Sequence, residues 1–155
     1  MKIYTFLFFA FIGSTILLAT PSCKKNKDCT ETNISTAGGN DSHNFGMNCM
    51  NCHQSGGEGK GCFTVAGSVS NSSLTSPLTA GTVKLYTAAN GGGTLKYSIQ
   101  IDSKGNFHST ESIDYTGLYA AITSANGTTN YMSSQLSSGS CNSCHGASTS
   151  KLFGN

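Results

Sequence analysis

From Cys62 onward the chain alternates. Phe63, Val65, Gly67 and Val69 stand at every second position, with polar or small residues between them. Val83 and Leu85 do the same against Thr82, Lys84 and Tyr86, and Leu95, Tyr97, Ile99 and Ile101 against Lys96, Ser98 and Gln100. Leu118, Ala120 and Ile122 repeat the pattern against Tyr119 and Ala121. A period of two places one face of a strand inside and the other outside. "NGGG" (90–93) and "DSKGN" (102–106) separate these runs, and "SSLTSPLTAG" (72–81) carries a proline and ends in glycine. Such clusters between alternating runs are hairpin signals. About six or seven short strands at this spacing predict a mainly β fold, a single β-sandwich. No helical period of useful length appears.

Residues 24–61 break from the pattern. They are polar and rich in Gly and Asn, with Ile34, Phe45, Met47 and Met50 as their larger apolar groups. Such a segment builds no core of its own. It reads as an irregular arm, with one helical turn around its first cysteine pair. Ahead of it, Met1–Lys2 is a short positive start, and "IYTFLFFAFIGSTILLA" is an apolar run. "TPSC" follows and ends at Cys23. This reads as an export signal over residues 1–22. The run stands at the short limit of a membrane span, so an uncleaved anchor is the alternative. The remaining boundaries are an arm over 23–61, the sandwich over 62–136 and a tail over 137–155.

The chain has 155 residues, so a single domain is expected. Charged residues make up 10 % and the net charge is +2, from scattered lysines without any arginine, which leaves no basic patch for nucleic acid. Seven cysteines are many for this length. Four of them stand in two copies of one motif: "CMNCH", with Cys49, Cys52 and His53, and "CNSCH", with Cys141, Cys144 and His145. In an exported chain, C-x-x-C-H reads as an attachment site for haem c. Two thiols at this spacing reach the two vinyl groups on one haem edge, and the next residue, histidine, lies under the iron as its proximal ligand. Two covalently attached haems are therefore expected. Zinc held by the two Cys pairs and two plain disulfides are the competing readings, but neither needs a histidine after each pair. A thioredoxin-like redox pair needs a βαβ context, which the pattern does not show.

With Cys23 set aside for the signal, Cys29 and Cys62 remain. They are candidates for a disulfide pinning the arm to the first strand, with two free thiols as the alternative. Two histidines also remain, His43 and His108, as candidates for the distal iron ligand. His43 precedes the first motif in the arm. His108 follows Phe107 in a strand, so it faces outward if Phe107 faces the core. Met47, Met50 and Met132 are alternative thioether ligands, or simple apolar packing. Glu58, Glu111 and Asp114 are isolated, so no acid–base set marks an enzyme. The tail after His145 offers only Leu152 and Phe153 as large apolar groups, too few to wrap a haem. Shallow, partly exposed haems are expected, packed on the sandwich, on each other or on another chain. The pattern leaves open whether the two motifs lie on one side of the sandwich or on opposite sides.

Two resemblances add to this reading. Cys23, first after the apolar run and followed by "KKNKD", resembles the acylated cysteine of bacterial lipoprotein signals, of the looser Bacteroidota type with Thr20 three residues before it. It implies a lipid-anchored protein of the periplasm or cell surface; plain secretory cleavage near Ser22 is the alternative. "VAGSVSNSSLTSPLTAGTVKLYT…IDSKGNFHS…YTGLYAAIT" resembles, over residues 64–125, the carboxypeptidase-regulatory-like, transthyretin-like sandwich of exported bacterial proteins. That resemblance implies an Ig/transthyretin-like β-sandwich and no chemistry. Together these features predict an exported dihaem c-type cytochrome that transfers electrons to redox partner proteins or to neighbouring copies of itself. The alternative is a non-redox surface module with zinc- or disulfide-stapled ends.

Overall fold

The computed structural model describes residues 29–155; residues 1–22, read above as an export signal, and Cys23 lie outside the described residues. The fold is mainly β, a small sandwich of two antiparallel sheets. Six strands follow the alternating runs: β1 (Val65–Ser68), β2 (Gly81–Tyr86), β3 (Leu95–Ile101), β4 (Asn106–Ser109), β5 (Tyr119–Ser124) and β6 (Thr129–Tyr131). The larger sheet has the order β3-β2-β5-β6 and the smaller pairs β1 with β4. Val65, Val69, Val83, Leu85, Ile99, Ile101, Phe107 and Ile122 meet between them as the core.

Three details depart from the alternation pattern. First, β1 is buried on both faces rather than one. Val65 faces the core, while Ala66 and Ser68 point the other way, where the arm and the tail cover them. Second, "DSKGN" is not a hairpin within one sheet. The Asp102 N–H donates to the Asn106 carbonyl at 2.9 Å, and the Asp102 Oδ1 accepts from the Lys104 and Asn106 amides at 2.9 and 3.0 Å. The turn is tight, but it carries the chain from β3 in the large sheet to β4 in the small one. Third, the alternation of β3 breaks at its start: a register shift makes Tyr97 the partner of Leu85 but Leu95 the partner of Tyr86, so Leu95 turns to the outer face and is 44 % exposed.

The small sheet is widened by the two segments that carry the cysteine motifs. Along the outer edge of β4, the Ser35 amide donates to His108 O at 2.9 Å and the Thr110 amide to Asn33 O at 3.1 Å, with a bridge between Ile34 and Ser109. Along the free edge of β1, the Ala66 amide donates to Gly139 O at 2.9 Å; beyond the strand, the Ser70 amide donates to Leu152 O at 2.8 Å. Arm and tail thus supply the backbone partners that edges of a two-stranded sheet would lack. A disulfide joins Cys29 to Cys62, closing the arm back onto the start of the sandwich.

Candidate functional site

Each cysteine motif folds as a short 3-10 turn, Cys49–Asn51 and Cys141–Ser143. In the first, the Cys52 and His53 amides both donate to Cys49 O, at 3.2 and 3.0 Å. In the second, the Cys144 and His145 amides both donate to Cys141 O, at 3.3 and 2.9 Å. The loop after each motif then folds back: the Gly59 amide donates to Cys52 O at 3.0 Å, and the Thr149 amide to Cys144 O at 2.9 Å. Two segments that share little beyond C-x-x-C-H adopt the same 3-10 turn, and each is closed by a return loop of its own length.

The histidines are held the same way. His53 Nδ1 lies 2.9 Å from Lys60 O, and His145 Nδ1 lies 2.8 Å from Ser150 O. A carbonyl oxygen only accepts, so Nδ1 carries the proton in both rings and Nε2 keeps its lone pair. His53 is buried, yet among the described residues no fully enclosed side-chain nitrogen or oxygen lacks a partner. Its Nε2, which makes no hydrogen bond, therefore opens onto a cavity. Gly59 closes one side of this ring: a Cβ there would stand 2.7 Å from its atoms. An imidazole fixed through Nδ1 with Nε2 free is the arrangement of a metal-ligating histidine.

Each motif opens onto a cavity of its own. The first, of about 210 Å³, is lined by Cys49, Cys52 and His53 together with His43, Phe63 and His108. The second, of about 360 Å³, is lined by Cys141, Cys144 and His145, with Phe107, Ile122 and Leu136 forming part of its apolar wall. The tail does not wrap this second cavity alone; it supplies one side, with Leu152 and Phe153 as its large apolar groups, and the sandwich supplies the other. Met47, Tyr131 and Phe153 are large apolar residues exposed at the rims, Met47 by 62 %.

The motifs are neighbours. Asn48 and Ser140 stand immediately before the two 3-10 turns, and Ser140 Oγ donates to Asn48 Oδ1 at 2.7 Å. Ser68, at the end of β1, ties the pair together. Its amide donates to Asn142 Oδ1 at 2.7 Å, and its hydroxyl accepts from the Gly46 amide at 2.9 Å. The first motif lies toward the outer face of the small sheet, where Ser68, Asn106 and His108 project. The second lies toward the core face, where Cys141 Cβ meets Gly67 so closely that any added Cβ would stand 2.9 Å away.

Burial pushes the Cys141 thiol up to about 12, with smaller contributions from Cys49 and Cys144. Burial also raises the Cys49 thiol. The second cysteine of each pair, Cys52 or Cys144, is exposed. All four motif thiols are unpaired. Among the described residues no three His, Cys, Asp or Glu side chains converge as a bare metal ion requires. The donor set is instead two thiols and one oriented imidazole beside a cavity, repeated twice, with an apolar wall at the second motif and a mostly polar one around Phe63 and Met47 at the first, and this set fits a covalently attached haem at each motif.

His108 is not the surface residue expected from its place after Phe107. Phe107 is fully buried, and His108 does face the other way, but that face is covered by the arm. Its Nε2 lies 2.9 Å from Asn33 Oδ1, its ring stacks on Phe63 at 4.5 Å, and burial lowers its pKa. Sequence alternation gave its direction but not the segment that covers it. Glu58, Glu111 and Asp114 are exposed. No family model, no curated protein and no solved structure matches this chain. Among the described residues no helix is long and apolar enough to cross a membrane.

Proposed function

We propose that the protein is an exported dihaem c-type cytochrome, an electron carrier that binds one haem at Cys49, Cys52 and His53 and another at Cys141, Cys144 and His145. Its sandwich, of the carboxypeptidase-regulatory-like kind, holds the two centres side by side. The observation that carries this reading is the twofold repetition of one device: a C-x-x-C-H turn whose histidine is fixed through Nδ1 to a backbone carbonyl, beside an open cavity. A bound haem supplies an iron that gains and loses one electron. The chain's own part is positioning. Lys60 O and Ser150 O orient the two imidazoles, and the carbonyls also raise their basicity as ligands. The Asn48–Ser140 hydrogen bond and the Ser68 bridge fix one site against the other. The apolar rims of both cavities suit electron exchange with a redox protein partner or a second copy of the chain. Lipidation of Cys23 would hold the protein at a membrane surface.

Visible absorption of the purified full-length protein, produced with c-type haem maturation, tests the reading. The oxidised protein should be red and should sharpen to a narrow band on reduction. Replacing Cys49 and Cys52 by Ala should halve the haem per chain, and so should replacing Cys141 and Cys144. A colourless protein, where a control cytochrome matures, would leave the metal- or disulfide-stapled module in its place.

A further inference from the structure

The two sites differ in what faces the proximal histidine. In the first cavity two further histidines are present, and geometry separates them. The Phe63 ring stacks on His53 with centroids 4.0 Å apart and on His108 with centroids 4.5 Å apart. Phe63 therefore fills the space between those imidazoles, and the Nε2 of His108 is engaged by Asn33. His43 stands differently. Its ring centroid is 5.9 Å from that of His53, tilted by 38°, and both rings line the same cavity. That is wider than a stacking contact. The His43 imidazole makes no hydrogen bond, while its backbone is held in place: Asn106 Nδ2 donates to His43 O at 3.3 Å and to Ser42 Oγ at 2.9 Å, and Lys104 Nζ donates to Ser42 O at 2.9 Å. The arm thus presents an uncommitted imidazole across the cavity from His53.

The second cavity contains no histidine besides His145. Its wall does include Met132, half-buried just after β6 and anchored by its amide to Ala120 O at 2.9 Å. Lys151, also in the wall, directly follows Ser150, whose carbonyl holds the Nδ1 side of His145, so it belongs to the loop behind the proximal ring.

We propose that the two irons are ligated unlike each other: His53 and His43 at the first site, His145 and Met132 at the second. This rests on the dihaem reading above. Thioether ligation raises the potential of a haem iron relative to a second imidazole. The second site is then the more readily reduced. With both haems bound, an electron delivered to the first site by a reduced partner protein would pass to the second, the first iron being reoxidised as the second is reduced.

The test uses the haem-loaded full-length protein, with haem content per chain measured by denatured mass for every variant. Ferric electron paramagnetic resonance and near-infrared absorption are then recorded. The wild type should show two low-spin ferric haems, a sulfur-to-iron charge-transfer band and two resolved midpoint potentials. His43→Ala should turn one of the two haems high-spin, keep the sulfur band, and recover the low-spin signal on adding imidazole. Met132→Leu should abolish the sulfur band, leave the first haem low-spin and lower the higher of the two potentials. His108→Ala should leave both haems low-spin. Two low-spin haems in His43→Ala, a high-spin haem in His108→Ala, or a sulfur band that survives in Met132→Leu would overturn the assignment while the dihaem reading stands. A wild type without haem would overturn both.

Discussion

The side chains that matter most are two histidines fixed through one nitrogen and two pairs of thiols of unequal exposure. The inequality has a measurable consequence. In haem-free protein, Cys52 and Cys144 should be alkylated first and Cys49 and Cys141 slowest, because the thiolate is the reactive species and burial disfavours it. Timed alkylation at mildly alkaline pH, followed by peptide mass mapping, checks the order. Cys141 also makes haem-free protein sensitive to alkali. Burial in the folded chain pushes its thiol from the ordinary 9.0 up to about 12. Between those values the folded state binds more protons than the unfolded, so stability is intact below the lower value and falls as pH rises toward the upper one. Urea midpoints at about pH 8 and about pH 10.5 should differ in the wild type and differ less in Cys141→Ala, by this linkage. Thioethers do not ionise, so the haem-loaded protein should lose this contribution.

At the level of elements, the small sheet decides where the motifs sit. Gly67 leaves β1 flat enough for Phe107 and Cys141 to approach from the core side, where a Cβ would stand 2.8 Å from the Phe107 ring. Gly67→Ala should cost about 1–3 kcal/mol in chemical denaturation, the range for overpacking, and should reduce haem loading at the second motif more than at the first. The Cys29–Cys62 link closes a loop across a sequence separation of 33. Replacing both cysteines by Ser should cost about 2–5 kcal/mol, read from the same denaturation curves.

The strands were legible at this level because their inner positions are apolar at period two, many of them Val, Ile, Phe or Tyr, and the mainly β fold follows from them. The double burial of β1 was not legible. It depends on where arm and tail dock, and Gly139, Ala66 and Ile34 carry no pattern that announces it. The crossing at "DSKGN" was hidden for a related reason: its local hydrogen bonds are those of a hairpin, and only long-range pairing sends β4 to the other sheet.

At the scale of the whole molecule, the sandwich answers why the two motifs stand near opposite ends of the chain. The arm runs along β4 and the tail along β1, so both motifs arrive at the same end of the small sheet, where Asn48 meets Ser140. Alternation and turn chemistry left this adjacency open, since polar contacts among Asn48, Ser68, Ser140 and Asn142 have no signature in spacing. The two C-x-x-C-H motifs were visible as spacing alone; the carbonyl that orients each histidine was not, because any backbone carbonyl can serve. Removing the shared contact with Asn48→Ala and Ser140→Ala should leave both haems attached while broadening the separation or order of the two potentials in a redox titration.

The most direct measurement is the denatured intact mass of the mature protein made in a host with c-type haem maturation. A mass excess of two haems is expected, falling to one when either cysteine pair is replaced by Ala. No excess, under conditions where a control cytochrome is loaded, would contradict it.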